Sequence, residues 1–86
     1  RMKTYRRMPL AVEALFTCEG RLLPRRLHFG GEAYEIERVI SHRRFCPQTV
    51  ACIAPVEFTV EIAGAHKKIY YEPDTGCWFS VKEYGV

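Results

Sequence analysis

The sequence lacks the features that mark membrane and secreted proteins. No apolar run approaches the ~20 residues that a transmembrane helix requires, and the longest, residues 50–54, lies among prolines. The basic N-terminus, RMKTYRRMPL, contains no apolar stretch of the kind found in signal peptides. These absences predict a cytoplasmic protein that does not enter a membrane.

Signatures of catalysis are also missing. The sequence contains no Ser-His-Asp arrangement, no phosphate-binding glycine loop and no evident carboxylate dyad. His42 lies close to Cys46 in the chain, but nucleophilic catalysis also needs an orienting group and an oxyanion site. The sequence therefore predicts a protein that is not an enzyme and requires no cofactor.

Cysteine is present in the number that a tetrahedral zinc site needs, but in an unusual arrangement. Zinc knuckles place two cysteines about three to five positions apart in the chain, whereas successive cysteines here are 28, 6 and 25 positions apart. Free cytosolic thiols are the favoured interpretation, and disulfides are disfavoured in that compartment. The alternative is a zinc-stabilised module whose ligands are Cys18, Cys46, Cys52 and Cys77.

The composition is that of one small folded domain. The chain has 86 residues, of which 48% are hydrophobic and 27% charged, a balance that excludes disorder. Its net charge is +3, but residues 1–44 hold ten Lys and Arg against five Asp and Glu, whereas residues 45–86 hold three against five. A basic first half favours an anionic partner, such as nucleic acid or an acidic protein surface.

The second half of the chain has the clearest strand pattern. Residues 56–62, VEFTVEI, alternate strictly between apolar and polar side chains, as in a strand with one buried face. Ala63-Gly64 predicts a tight turn into a strand over residues 66–72. The sequence PDTG at residues 73–76 predicts a further turn, followed by a strand over residues 77–84.

The first half predicts a similar set of strands. Residues 10–17 can form a strand, with a helix as the competing interpretation, and Glu19-Gly20 supplies a turn. Residues 25–29 alternate, and Gly30-Gly31 predicts a hairpin into residues 34–40. The alternation fails at Arg38, because Tyr34 and Ile36 share a face whereas Val39 and Ile40 are adjacent. One extra residue there, a β-bulge, would restore burial.

Together these patterns predict an all-β fold. Two three-stranded meanders would cover each other's apolar faces in a small antiparallel roll or partly open SH3-like barrel. Residues 1–8 are predicted to form a flexible basic tail, residues 9–86 a single β domain, and residues 44–55 the loop that connects the two meanders.

A series of turn and core residues resembles a small bacterial domain family of unknown function. The residues that carry this resemblance are Gly20-Arg21, Pro24, Leu27-His28-Phe29, Gly31, residues 34–40, Phe58, Val60-Glu61, Tyr70, Asp74, Gly76 and Trp78. The resemblance covers nearly the whole chain from residue 10 onward. In some bacteria such domains lie beside genes for translesion DNA polymerases, so it implies a small β fold and an accessory role near DNA repair.

Basic and aromatic residues are the candidate binding groups. The hairpin at Gly30-Gly31 is expected to bring two arginine pairs and a neighbouring arginine to one basic edge: Arg25, Arg26, Arg38, Arg43 and Arg44. Trp78 would stack on nucleobases if it faces outward. In the alternative it fills the barrel end and leaves Phe79 outside.

Two functions are consistent with this sequence. The first is a non-catalytic module that binds a protein partner through an open strand edge and the loop at residues 44–55. The second is a nucleic-acid-binding barrel that uses the five arginines and Trp78.

Overall fold

The computed structural model of the protein describes residues 4–44 and 55–84, which form seven β-strands. The strands are β1 (Thr4–Phe16), β2 (Leu22–Phe29), β3 (Glu32–Glu35), β4 (Arg38–Arg44), β5 (Val56–Ile62), β6 (Ala65–Glu72) and β7 (Cys77–Tyr84). In these two segments there is no helix long and apolar enough to cross a membrane.

All seven strands belong to one antiparallel sheet that curls on itself. Their order across the sheet is β3-β2-β1-β7-β6-β5-β4, so the two outermost strands are consecutive in the chain. Ile36 and Glu37 connect them: the Ile36 amide donates to the Arg25 carbonyl of β2, and the Glu37 amide to the Glu61 carbonyl of β5. The prediction of an all-β roll or partly open barrel is therefore confirmed.

The segment predicted as the third strand is divided into two. Residues 32–35 pair with β2, whereas residues 38–44 pair with β5 on the far side of the sheet. The expected extra residue is Ile40, because the register with β5 shifts between Val39 and Ser41. The broken alternation near Arg38 thus marks both a change of partner strand and a bulge, which together let a small sheet curl.

Two segment boundaries differ from the sequence prediction. Residues 4–8, expected in a flexible tail, belong to β1 and pair with β7 from Thr4 opposite Tyr84 through Met8 opposite Ser80. Arg44, expected at the start of a connector, is the last residue of β4 and lies opposite Val56. The segment between them therefore links two neighbouring strands, and its residues 45–54 lie outside the described part of the chain.

The core lies inside the curl of the sheet. It is formed by Leu27, Phe58, Val60, Ile62, Ile69 and Trp78. Three of these come from β5, whose strict alternation sends every second side chain inward. Burial of each such side chain contributes about 1.5–3 kcal/mol, so this one strand supplies a large share of the core stabilisation.

Candidate functional site

The sheet opens between β6 and β7. Their pairing runs from Glu72 opposite Cys77 to Tyr70 opposite Phe79 and stops there. Both strands continue, with β6 paired to β5 as far back as Ala65 and β7 paired to β1 as far as Tyr84. Over residues 65–69, the β6 edge that faces β7 therefore has no strand partner among the described residues.

An apolar cleft of about 710 Å³ lies beside this opening. Its surface is formed by the inner faces of several strands, including Leu10 of β1, Leu27 of β2 and Ile69 of β6. Phe29 and Val81 are 53% and 40% exposed, so large apolar side chains meet solvent at the cleft. Apolar surface beside a free strand edge is the combination that an extended peptide uses for binding.

The strand edge at the cleft carries positive charge. Five consecutive β6 residues line the cleft: Ala65, His66, Lys67, Lys68 and Ile69. The first four are exposed, whereas Ile69 is buried. Because Ile69 points into the core, strand alternation places Lys67 on the cleft side and His66 and Lys68 on the outer side. Basic side chains therefore occupy both faces of this edge.

A second cleft of about 590 Å³ lies elsewhere on the molecule. Phe16, Leu23 and Ile40 contribute apolar surface to it, and Arg21 and His42 contribute basic groups. Val56, the first residue of β5, also lines this cleft.

Three of the five candidate arginines are held in ion pairs. Arg26 donates to Glu35 and lies 3.4 Å from Glu13, across β1, β2 and β3. Arg38 Nε donates to Glu61 Oε1 at 2.6 Å. Arg43 Nε donates to Glu57 Oε1 at 2.8 Å. The glutamates at 35, 57 and 61 thus each pair with an arginine.

Glu57 is the one buried charged residue among the described residues. It is 5% exposed on the outer side of β5 and also accepts a hydrogen bond from Tyr70 Oη at 2.9 Å. Burial opposes ionisation, but the hydrogen bonds from Arg43 and Tyr70 hold the pKa of this carboxyl below its ordinary value. Burial and the neighbouring carboxylate in turn raise the pKa of Tyr70 to about 12.

The five candidate arginines are spread over β2 and β4. Arg25 is the extra residue of a bulge in β2, and Arg44 lies at the far end of β4. Arg44 is six residues from Arg38, or roughly 20 Å along an extended strand. Arg25 and Arg44 are exposed and have no ion-pair partner within residues 4–44 and 55–84.

Trp78 faces inward and is not available for stacking on a ligand. It is 8% exposed and packs against Phe58 and Tyr71, with ring centroids 5.4 and 4.9 Å away. Phe79 points to the outer side of the sheet, as the alternative interpretation expected, yet it is also buried. Tyr70 stacks beside it, and the Arg7 guanidinium lies 4.2 Å above its ring.

The cysteines give the zinc interpretation no added support. Cys18 lies in the turn after β1 and Cys77 begins β7, and both are exposed free thiols. The other two predicted ligands, Cys46 and Cys52, lie outside the described residues. Within the part of the chain that the structure describes, no three His, Cys, Asp or Glu side chains cluster in a way that would hold a metal ion.

The sequence prediction missed the residues of the β6 edge. The sequence predicted a strand over residues 66–72 after a tight turn, with no binding role for the run His66-Lys67-Lys68. Three consecutive polar side chains break the alternation of a strand with one buried face, and lysine is common at exposed strand edges. That run could have marked β6 as a strand with a free edge.

Comparisons of this chain with protein-family models, curated proteins and solved structures found no match.

Proposed function

We propose that this domain is a non-catalytic protein-interaction module that binds an extended peptide strand at the cleft beside β6. The observation that carries the proposal is the early end of β6–β7 pairing at Tyr70 and Phe79. A peptide in the cleft would add its backbone hydrogen bonds to the free β6 edge, and its alternate side chains would enter the apolar cleft.

The cleft suits a transient or regulated partner. A strand edge with apolar surface beside it provides main-chain affinity and side-chain selectivity. Single chains of 86 residues have thin cores, and a partner that fills this cleft would also stabilise the fold. The resemblance to a small bacterial domain family supports the further proposal that the module is an accessory component of a larger bacterial assembly.

The test uses a neutral probe, an eight-residue peptide that alternates valine and glutamine. We expect it to shift the backbone amide resonances of residues 65–69 and to slow the hydrogen exchange of those β6 amides that face the cleft. Phe29→Ala should weaken binding, because Phe29 supplies exposed apolar surface there.

Phe16→Ala is the matched control. Phe16 is also an exposed phenylalanine, but it lines the other cleft. Binding that falls equally in both variants would show that the peptide does not use the β6 cleft. If neither this peptide nor its charged analogues shift any β6 amide at millimolar concentration, the proposed function is wrong.

The second candidate function is nucleic-acid binding, favoured by the exposed Arg25 and Arg44 and by the basic β6 edge. It has less support than the sequence suggested, because Arg26, Arg38 and Arg43 pair with carboxylates and Trp78 is buried. An oligonucleotide titration at low salt tests it. Affinity should fall steeply with added salt and drop in the Arg25→Ala/Arg44→Ala variant, and amide spectra that do not move would reject it.

A further inference from the structure

The side chains of β6 indicate what kind of peptide strand its free edge would bind. β5, which pairs with the opposite edge of β6, shows the pattern that fits. β5 has the sequence VEFTVEI and pairs with β6 in regular antiparallel register. Its apolar side chains enter the core, and its acidic side chains lie on the outer face. There Glu61 is opposite His66, and Thr59 is opposite Lys68.

The same β6 residues are available to a strand on the other edge. His66 and Lys68 project from the outer face midway between the two edges, so a strand on either side meets them as cross-strand neighbours. Opposite charges in such positions attract, whereas like charges repel. Lys67 adds a second lysine charge on the cleft side and is exposed.

We infer that β6 selects an extended peptide in which acidic residues alternate with apolar ones. Its acidic side chains lie beside His66 and Lys68 on the outer face, and its apolar side chains enter the cleft toward Leu27 and Ile69. This inference rests on the proposed function and specifies the class of partner that the cleft accepts.

The charge on the edge also excludes other occupants. Lysines on a free strand edge oppose indiscriminate pairing, because most incoming strands cannot neutralise them. A second copy of this chain that paired through β6 would bring Lys67 and Lys68 next to their own counterparts. The edge therefore disfavours self-association and basic strands, and it favours an acidic strand over a neutral one.

The experiment compares three eight-residue peptides that alternate valine with glutamate, glutamine or lysine. The direct and diagonal cross-strand pairs of Lys68 with two glutamates predict that the glutamate peptide binds about fivefold more tightly than the glutamine peptide at low salt, and the lysine peptide more weakly than both. The advantage of the glutamate peptide should shrink as salt is added. Isothermal calorimetry or amide chemical shifts would give the dissociation constants.

Charge reversal on the protein provides the second arm. Lys67→Glu/Lys68→Glu should reverse the order of the three peptides. The control, Arg21→Glu/Arg44→Glu, makes the same change in net charge at exposed positions outside the cleft at residues 65–69 and should preserve the order.

The outcomes separate this inference from the proposed function. If all three peptides bind with equal affinity at β6, the charge selection is wrong and the peptide-binding function stands. The same conclusion follows if the control reverses the order as strongly as the β6 variant does. If none of the three binds, both proposals fail.

Discussion

Tyr70 and Glu57 lie opposite each other on β6 and β5, and the tyrosine hydroxyl donates a hydrogen bond of 2.9 Å to the carboxylate. Arg43 of β4 donates to the other oxygen of the same carboxylate at 2.8 Å. Three neighbouring strands are thereby joined through one buried carboxylate on the outer face of the sheet. This contact stabilises the β5–β6 pairing on which the cleft depends.

Removing the tyrosine hydroxyl should destabilise the fold and alter its alkaline titration. Tyr70→Phe is expected to lower the free energy of unfolding by about 1–2 kcal/mol near neutral pH, because a hydrogen bond to a charged, buried group is lost. The pKa of Tyr70 is raised to about 12, so its stabilising contribution is complete below pH 10 and is lost as the pH rises through 12. Denaturant unfolding between pH 7 and 12 measures both effects.

Phenolate absorbance during an alkaline titration tests whether the raised pKa belongs to Tyr70. The wild-type protein should show a tyrosine that ionises with a pKa of about 12, and Tyr70→Phe should lack this last step. If the last step persists in the variant, another tyrosine is responsible.

Glu57 should make the fold sensitive to acid. Its pKa in the folded protein lies below the ordinary value of 4.5, so ionised Glu57 stabilises the fold at pH values above 4.5. That contribution is lost as the pH falls below 4.5 and through the lowered folded-state pKa. Glu57→Gln should therefore be less stable than wild type at pH 7 and should lose less stability on acidification. Unfolding curves at pH 7 and pH 3 that decline in parallel for the two proteins would contradict this.

The turn between β5 and β6 contains an unfavourable backbone conformation. Ala63 and Gly64 have φ angles of 52° and 78°, the left-handed values of a type I′ turn. Alanine adopts this region at a cost of about 1 kcal/mol, whereas asparagine tolerates it better. Ala63→Asn should raise the free energy of unfolding by about 0.5–1 kcal/mol. Ala65→Asn, in the adjacent strand, is the control and should not stabilise the protein.

The fluorescence of Trp78 should report on the folding of the core and not on the binding of a ligand. It is the single tryptophan of the chain and is 8% exposed. Its fluorescence should be at short wavelength in the folded protein, shift to longer wavelength on unfolding, and be protected from a soluble quencher. Trp78→Leu should lower the free energy of unfolding by about 2–4 kcal/mol, because a cavity forms beside Phe58 and Tyr71. Strong quenching of the folded protein would contradict the inward orientation.

The amino-acid sequence by itself determined the class of fold and the position of most strands. Two-residue alternation in VEFTVEI and the turn residues Ala63-Gly64 act locally, so they indicate strands and hairpins without knowledge of the rest of the chain. The lost alternation at Arg38 even indicated the bulge. The same local pattern shows which residues share a face, but it does not show which face turns inward.

Only the tertiary structure decided how those faces and edges are used. The adjacent residues Trp78 and Phe79 were exchangeable in the sequence, and the register of β7 on β6 sends the tryptophan into the core. Arg38 and Arg43 pair with glutamates because the segment predicted as one strand is divided in two, and its second part, β4, pairs with β5. The open β6 edge arises because β6 and β7 stop pairing with each other at Tyr70 and Phe79, although both strands continue. Such contacts depend on residues distant in the chain, and no local pattern encodes them.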